Sequence, residues 1–371
     1  MQEERKRILK MVEDGKLSVD EALFLLEELE KTSQTAEKKK ESLVQELSTT
    51  VKFEEAKKED PINYKFQSAK DKIIDFVDTA FKKIKDFDLD FNFGQSVELT
   101  HIFQQSDVVL SNMDIDIANG NVVVVPWNQK DVRIECKVKV YRAESQEEAR
   151  TNFLSNVLFA ADGGKLRFGT QSKWMKLEAV IYVPQTEYDK IRIRMFNGSI
   201  EGGNINAQSY KAKTANGKII MKDINSHFAE VETGNGQILI QKSKVDQVEA
   251  ETLNGAIQMD GYFKKLDLHS FNGDILCTVN EEACEFIEAK AVTGKIELEL
   301  PSQTAVHGNL KTNLGSFHVN LDGIQILEDK SDVIQKVLRF ESINHPGGTL
   351  RLETETKTGS IHIRKTKSVT F

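Results

Sequence analysis

Cysteine is scarce in this chain, and its usage excludes a disulfide framework. Cys136, Cys277 and Cys284 are odd in number and form no CxxC pair, the pattern of reduced thiols. An excess of basic charge is also lacking. Lys and Arg number 50 against 58 Asp and Glu, a net charge of -8, so nonspecific nucleic-acid binding through bulk electrostatics is excluded. No run approaches the roughly 18 to 20 uninterrupted apolar residues that span a bilayer. The start, MQEERKR, leads into an amphipathic pattern rather than the apolar core of an export signal, so cytoplasmic residence is the expectation.

Chemical signatures are missing as well. The seven His residues make no HExxH or other metal-ligand spacing, although His318 and His362 take equivalent outward places in neighbouring repeats. No GxSxG elbow or P-loop occurs, and Cys277 falls on an inward position. Asp267, Asp274, Glu297 and Glu299 supply carboxylates, but charged residues are the ordinary outer face of a strand, and linear spacing does not make a catalytic pair. The expectation is a protein that is not an enzyme and holds no cofactor or metal.

What the chain does have is repetition. TANGKIIM at 214–221, TGNGQILI at 233–240 and TLNGAIQM at 252–259 are variants of one turn. Taking its glycine as reference, the series is Gly120, Gly198, Gly217, Gly236, Gly255, Gly273, Gly294, Gly315 and Gly359, with steps of 19, 19, 19, 18, 21 and 21 from 198 to 315. Hairpins need no fixed period, whereas the coils of a solenoid do. Two residues after each glycine stands Val122, Ile200, Ile219, Ile238, Ile257, Ile275, Ile296, Phe317 or Ile361, and the fourth after it is apolar except at Gly202. Inner positions seven, five and three before the glycine define a second strand, the last becoming a Thr/Ser/Ala column whose hydroxyls either bond along the axis or satisfy the turn. Asn197, Asn216, Asn235, Asn254 and Asn272 precede the glycine, fitting positive φ and an amide ladder.

The fold expected is therefore mainly β, a β-solenoid of about 19–21 residues per coil over 95–371, interrupted by a helix at 144–159 and an insertion at 321–349. Three positions after the glycine, Ile220, Leu239 and Leu276 break a polar outer column, an apolar patch that either lies under a helix of this chain or meets a partner.

Before the solenoid, 1–30 reads as an α-helical hairpin, with Gly15 as a stop and Ser18 and Glu21 as a capping box. It is too small to fold without docking or dimerising. A charged linker follows at 31–60. Within 61–94, the segment 62–88 carries Phe66, Ala69, Ile73, Val77, Ala80, Ile84 and Phe87 at three- and four-residue spacing, an amphipathic helix. Its six Lys against five Asp give little net attraction to anionic lipid. Packing on its own solenoid and docking on a membrane or partner both remain open.

The turns FNGSI, ANGKI, LNGAI and FNGDI over about 95–365 resemble the bacterial adhesin-type β-strand-repeat family. The segment ILKMVEDGKLSVDEALFLLEEL resembles the SHOCT-like module that precedes it in YvlB- and LiaX-type proteins of Gram-positive bacteria. That resemblance implies a non-enzymatic regulator of cell-envelope stress, peripherally associated with the membrane. Its implied partners are a membrane protein of a phage-shock-type or three-component system, membrane-active peptides or the membrane surface, with no nucleic acid and with self-association through the N-terminal helices. Exposure at the cell surface is the alternative location, and a polysaccharide-binding or adhesin-like module the alternative function. With no export signal or wall anchor recognised in the sequence, surface display is not the expectation.

Overall fold

The computed structural model describes residues 96–280, 283–332, 335–343 and 349–366. The predicted hairpin, linker and amphipathic helix, with Phe66, Ile73, Val77, Ile84 and Phe87, lie outside the described residues. The described elements are β1 (Ser96–Gln105), β2 (Asn112–Trp127), β3 (Val132–Tyr141), α1 (Gln146–Asn156), β4 (Leu158–Asp162), β5 (Lys165–Thr170), β6 (Met175–Pro184), β7 (Glu187–Asn197), β8 (Ile200–Gly203), β9 (Asn206–Asn216), β10 (Ile219–Lys222) and β11 (Asn225–Asn235). They continue with β12 (Ile238–Asn254), β13 (Ile257–Asn272), β14 (Ile275–Val279), β15 (Phe286–Thr293), β16 (Ile296–Leu300), β17 (Ala305–Thr312), β18 (Phe317–Asn320), β19 (Ile324–Ser331), β20 (Lys336–Ser342), β21 (Thr349–Thr356) and β22 (Ile361–Lys365).

The expected solenoid is present. Each coil gives a long strand before its turn and a short one after it, and both stack in parallel on their equivalents. The long-strand column runs β5, β2, β7, β9, β11, β12, β13, β15, β21, β17. The short-strand column runs β6, β2, β8, β10, β12, β13, β14, β16, β22, β18. β2, β12 and β13 are long enough to serve both columns. Spatial order departs from chain order at each end. The coil at 165–184 lies outside β2, and the last coil in sequence, 349–365, is inserted between β15/β16 and β17/β18.

Side-chain alternation explains the core. Ile200, Ile219, Ile238, Ile257, Ile275, Ile296 and Ile361 are completely buried, stacked where every coil turns the same face inward. Gly202 interrupts this lining for a reason: a Cβ there would lie 2.6 Å from the Tyr210 hydroxyl, and Tyr210 is fully buried. The missing side chain gives its volume to the ring.

The turn glycines answer to a different constraint. A Cβ on Gly217, at φ 154°, would sit 2.0 Å from the Gly198 carbonyl oxygen, and the clash recurs up the stack. The hydroxyl column satisfies these turns: Thr214, Thr233, Thr252 and Ser270 donate to the carbonyls of Gly198, Gly217, Gly236 and Gly255 at 3.0–3.1 Å. The asparagines need one correction. Positive φ belongs to Gly120, Gly198, Gly217, Gly255, Gly273 and Gly294 and, at a second corner, to Asn204, Asp223 and Lys242, not to the Asn of the Asn-Gly pairs. Those side chains form the amide ladder instead, from Asn119 through Asn197, Asn216, Asn235, Asn254 and Asn272.

Antiparallel strands cover the ends, β1–β3–β6 and β4–β5 at one and β17–β20–β19 at the other, limiting the open parallel edges. The helix predicted at 144–159 is α1. Ser145 caps it by accepting from the Glu148 amide at 3.2 Å, and Glu148 accepts from the Glu144 amide at 2.8 Å, a reciprocal arrangement. Its buried Ala149 and Phe153 face β1 and β3, with the Phe153 ring 6.0 Å from Phe103.

Candidate partner-binding surfaces

The short-strand sheet carries the predicted apolar patch on its outer face. Ile220 pairs with Leu239, Leu239 with Gln258, and Gln258 with Leu276. Ile220 and Leu239 are therefore contiguous, whereas Leu276 is set apart by one polar row. All three are half-buried and stand outside the core cluster. α1, one cover expected for them, packs on β1 and β3. Along the same column follow Glu297, His362 and His318. The two imidazoles stack with centroids 4.4 Å apart, and burial together with the His318 ring lowers the pKa of His362.

The carboxylates considered for catalysis are engaged. Glu297 and Glu299 share the Arg364 guanidinium, Asp274 accepts from the Lys295 amide at 2.9 Å, and Asp267 lies 2.9 Å from His269 Nε2. Glu297 is held below the usual carboxylate range by the Lys295 ammonium.

On the long-strand sheet the outer face is a ladder of charge. Six and four residues before the turn glycine stand Asp114 and Asp116, Arg192 and Arg194, Lys211 and Lys213, Glu230 and Glu232, Glu249 and Glu251, Asp267 and His269, then Glu288 and Lys290. Neighbouring coils neutralise one another. Arg192 Nε donates to Asp114 at 3.0 Å, Arg194 pairs with Asp116, and Lys213 bridges Glu230 and Glu232. Burial opposes ionisation of Glu230, but hydrogen bonds from Lys211 and Lys213 outweigh it and bring its pKa down to about 2. For Glu232 burial wins and the pKa is raised.

Further along, Asp267, His269 and Glu288 bring donor atoms within 4.8 Å of one another. Sequence reasoning missed this cluster because Glu288 comes from the next coil. Lys290 pairs with Glu288, so a protein ammonium already meets part of its negative charge. An open cleft of about 900 Å³ lies beside α1, lined among others by Glu98, Lys137, Lys139, Arg150, Lys176 and Glu178.

The profile of the Toastrack (DUF4097) family matches residues 110–338, the greater part of the solenoid. The chain belongs to the Toastrack family. A SHOCT-like domain profile matches residues 3–34. This Toastrack chain is 46% identical to the uncharacterized protein YvlB of Bacillus subtilis over 368 residues, covering 98% of this chain and 99% of that one. Among solved structures it is similar to a candidate adhesin from Bacteroides fragilis, at 12% identity and a TM-score of 0.33, covering 73% of this chain and 97% of that one. It is also similar to a candidate lipid-binding protein from Parabacteroides distasonis, at 10% identity and a TM-score of 0.38, covering 72% and 97%.

Proposed function

We propose that this Toastrack protein is a non-enzymatic regulatory binding protein of the cell-envelope stress response, acting peripherally at the membrane from the cytoplasmic side. Its partner is a membrane protein of a phage-shock-type or three-component system, or a membrane-active peptide. The observation that carries this reading is the outer surface of the solenoid. Two sheets present different chemistry at a coil spacing of about 4.8 Å, one with the Ile220–Leu239 apolar step and one with blocks of paired charge, on a frame whose interior is locked. Such a frame holds an extended partner in register, and the SHOCT-like module linked to it supplies a second attachment.

Signalling then consists of exchange, with the N-terminal segments moving between the solenoid and an outside ligand. Cells carrying Leu239→Asp in the full chain test the proposal through an envelope-stress reporter and capture of the membrane partner. Loss of both with the melting temperature retained is the expected result. An unaltered reporter response with unaltered capture contradicts it.

A further inference from the structure

The long-strand sheet has a second outward column that the charge ladder conceals. Two residues before each turn glycine stand Phe196, Ala215, Gly234, Leu253, Phe271 and Val292. The preceding Thr or Ser at this end of the strand points inward to the glycine carbonyl, so alternation turns this column to the opposite side. None of these residues belongs to the core cluster or packs against it. Phe196 and Leu253 form shoulders around a floor of Ala215 and Gly234.

This outer face is buried in one zone. Four residues before the glycine, side-chain exposure falls from 38% at Arg194 through 24% at Lys213 to 7% at Glu232, then 15% at Glu251, 8% at His269 and 5% at Lys290, and rises to 22% at Glu355. Ala215 beside it is only 1% exposed. Outward charged side chains on a solenoid sheet are ordinarily solvated, and burying the Glu288–Lys290 pair costs desolvation. The single helix among the described residues, α1, packs elsewhere, on β1 and β3.

We infer that this face is the docking site of the chain's own segment 62–88. Its stripe from Phe66 to Phe87 covers about 31 Å as a helix. The column extends to Ala118, two residues before Gly120, and from Ala118 to Val292 it spans six strand steps, about 29 Å at roughly 4.8 Å per strand. Ala215 and Gly234, having almost no side chain, let a helix approach closely between Phe196 and Leu253. Direction follows from the connection. Residues 89–95 reach at most about 24 Å to Ser96, which opens β1 at the N-terminal end of the stack. Phe87 therefore lies toward Phe196, and Phe66 toward Phe271 and Val292. The inference specifies the solenoid-bound arm of the exchange proposed above, and its test reads that arm alone, whatever the outside ligand is.

The test is thiol labelling of the full chain carrying Ala215→Cys. The native Cys136, Cys277 and Cys284 are at most 3% exposed and stay silent while the solenoid is folded, which controls for unfolding. Ala215→Cys is expected to react slowly with a maleimide. Adding Ile73→Asp, Val77→Asp and Ile84→Asp is expected to accelerate the reaction about tenfold or more, with the native thiols still silent. Equal rates with and without the three charges overturn the inference. So does protection that disappears on dilution, which assigns the cover to a second copy.

Discussion

Gly359 stacks directly on Gly294, although Gly315 comes between them in the chain. A Cβ at 359 would lie 1.7 Å from the Gly294 carbonyl oxygen, and one at 315 would lie 1.7 Å from that of Gly359. Thr356 donates to the Gly294 carbonyl at 3.0 Å and Thr312 to the Gly359 carbonyl at 3.1 Å. The final coil is thus held on both faces, and residues 349–365 tie the C-terminal coils together after those coils have been laid down in sequence.

Gly359→Ala should therefore be far more costly than an ordinary loop substitution. The Cβ meets backbone on a rigid stack, and a loss of about 3 kcal/mol or more is expected. Gly323 has φ 63° but no atom within 4 Å of where a Cβ would stand, so Gly323→Ala costs about 1 kcal/mol through backbone strain alone. Urea unfolding of the two variants measures the difference.

The amide ladder makes Asn235 a relay. Its Nδ2 donates to Asn216 and its Oδ1 accepts from Asn254, both at 2.8 Å. Asn235→Ala breaks two bonds and orphans two neighbours, for about 1–2 kcal/mol. Asn272 has a 3.4 Å bond to Asn254 and accepts at 2.8 Å from the hydroxyl of exposed Thr293; it should lose less on the same change because that hydroxyl re-pairs with water, and thermal unfolding of both variants gives the order.

Acid should weaken the charge ladder at Glu230. Its folded pKa of about 2 lies below the ordinary 4.5, so the ionised form stabilises the fold. That contribution is fully present above the unfolded value and is lost as pH falls through the folded one. Glu230→Gln should flatten the decline in stability between about pH 4.5 and 2. Glu232, shifted upward, acts in the opposite sense, and Glu232→Gln should not reproduce that flattening. A steeper decline in the Glu230→Gln variant contradicts the assignment.

Leu239→Asp should leave stability within about 0.5 kcal/mol, because Leu239 stands outside the core cluster and faces outward on β12. A large fall in melting temperature indicates instead that a segment of the chain covers the patch.

How much of this was legible in the sequence follows from the solenoid's periodicity. Each coil imposes the same demands, so the glycine column and the isoleucines behind it stand out at a fixed spacing. The coil at 165–184 was not legible because Leu177 occupies the glycine register opposite Gly120. Its outer neighbour β3 runs antiparallel, so no parallel turn carbonyl presses on a Cβ there. Nor was the insertion of 349–365 foreseeable, since its turn chemistry suits any place in the stack. Of the apolar patch expected at Ile220, Leu239 and Leu276, the first two pair on adjacent strands, while Gln258 stands between Leu239 and Leu276. The charge ladder and the column of Phe196 and Ala215 escaped notice because their pattern appears only across coils. The predicted contacts at Phe66, Ile73, Val77, Ile84 and Phe87 lie outside the described residues.

The most direct measurement is protease shaving of intact cells alongside membrane fractionation, following tags at both ends of the full chain. The account predicts protection of both tags, with the protein in the membrane fraction and released from it when the membrane partner is absent. Cleavage without lysis, or a fully protected chain that is wholly soluble, contradicts it.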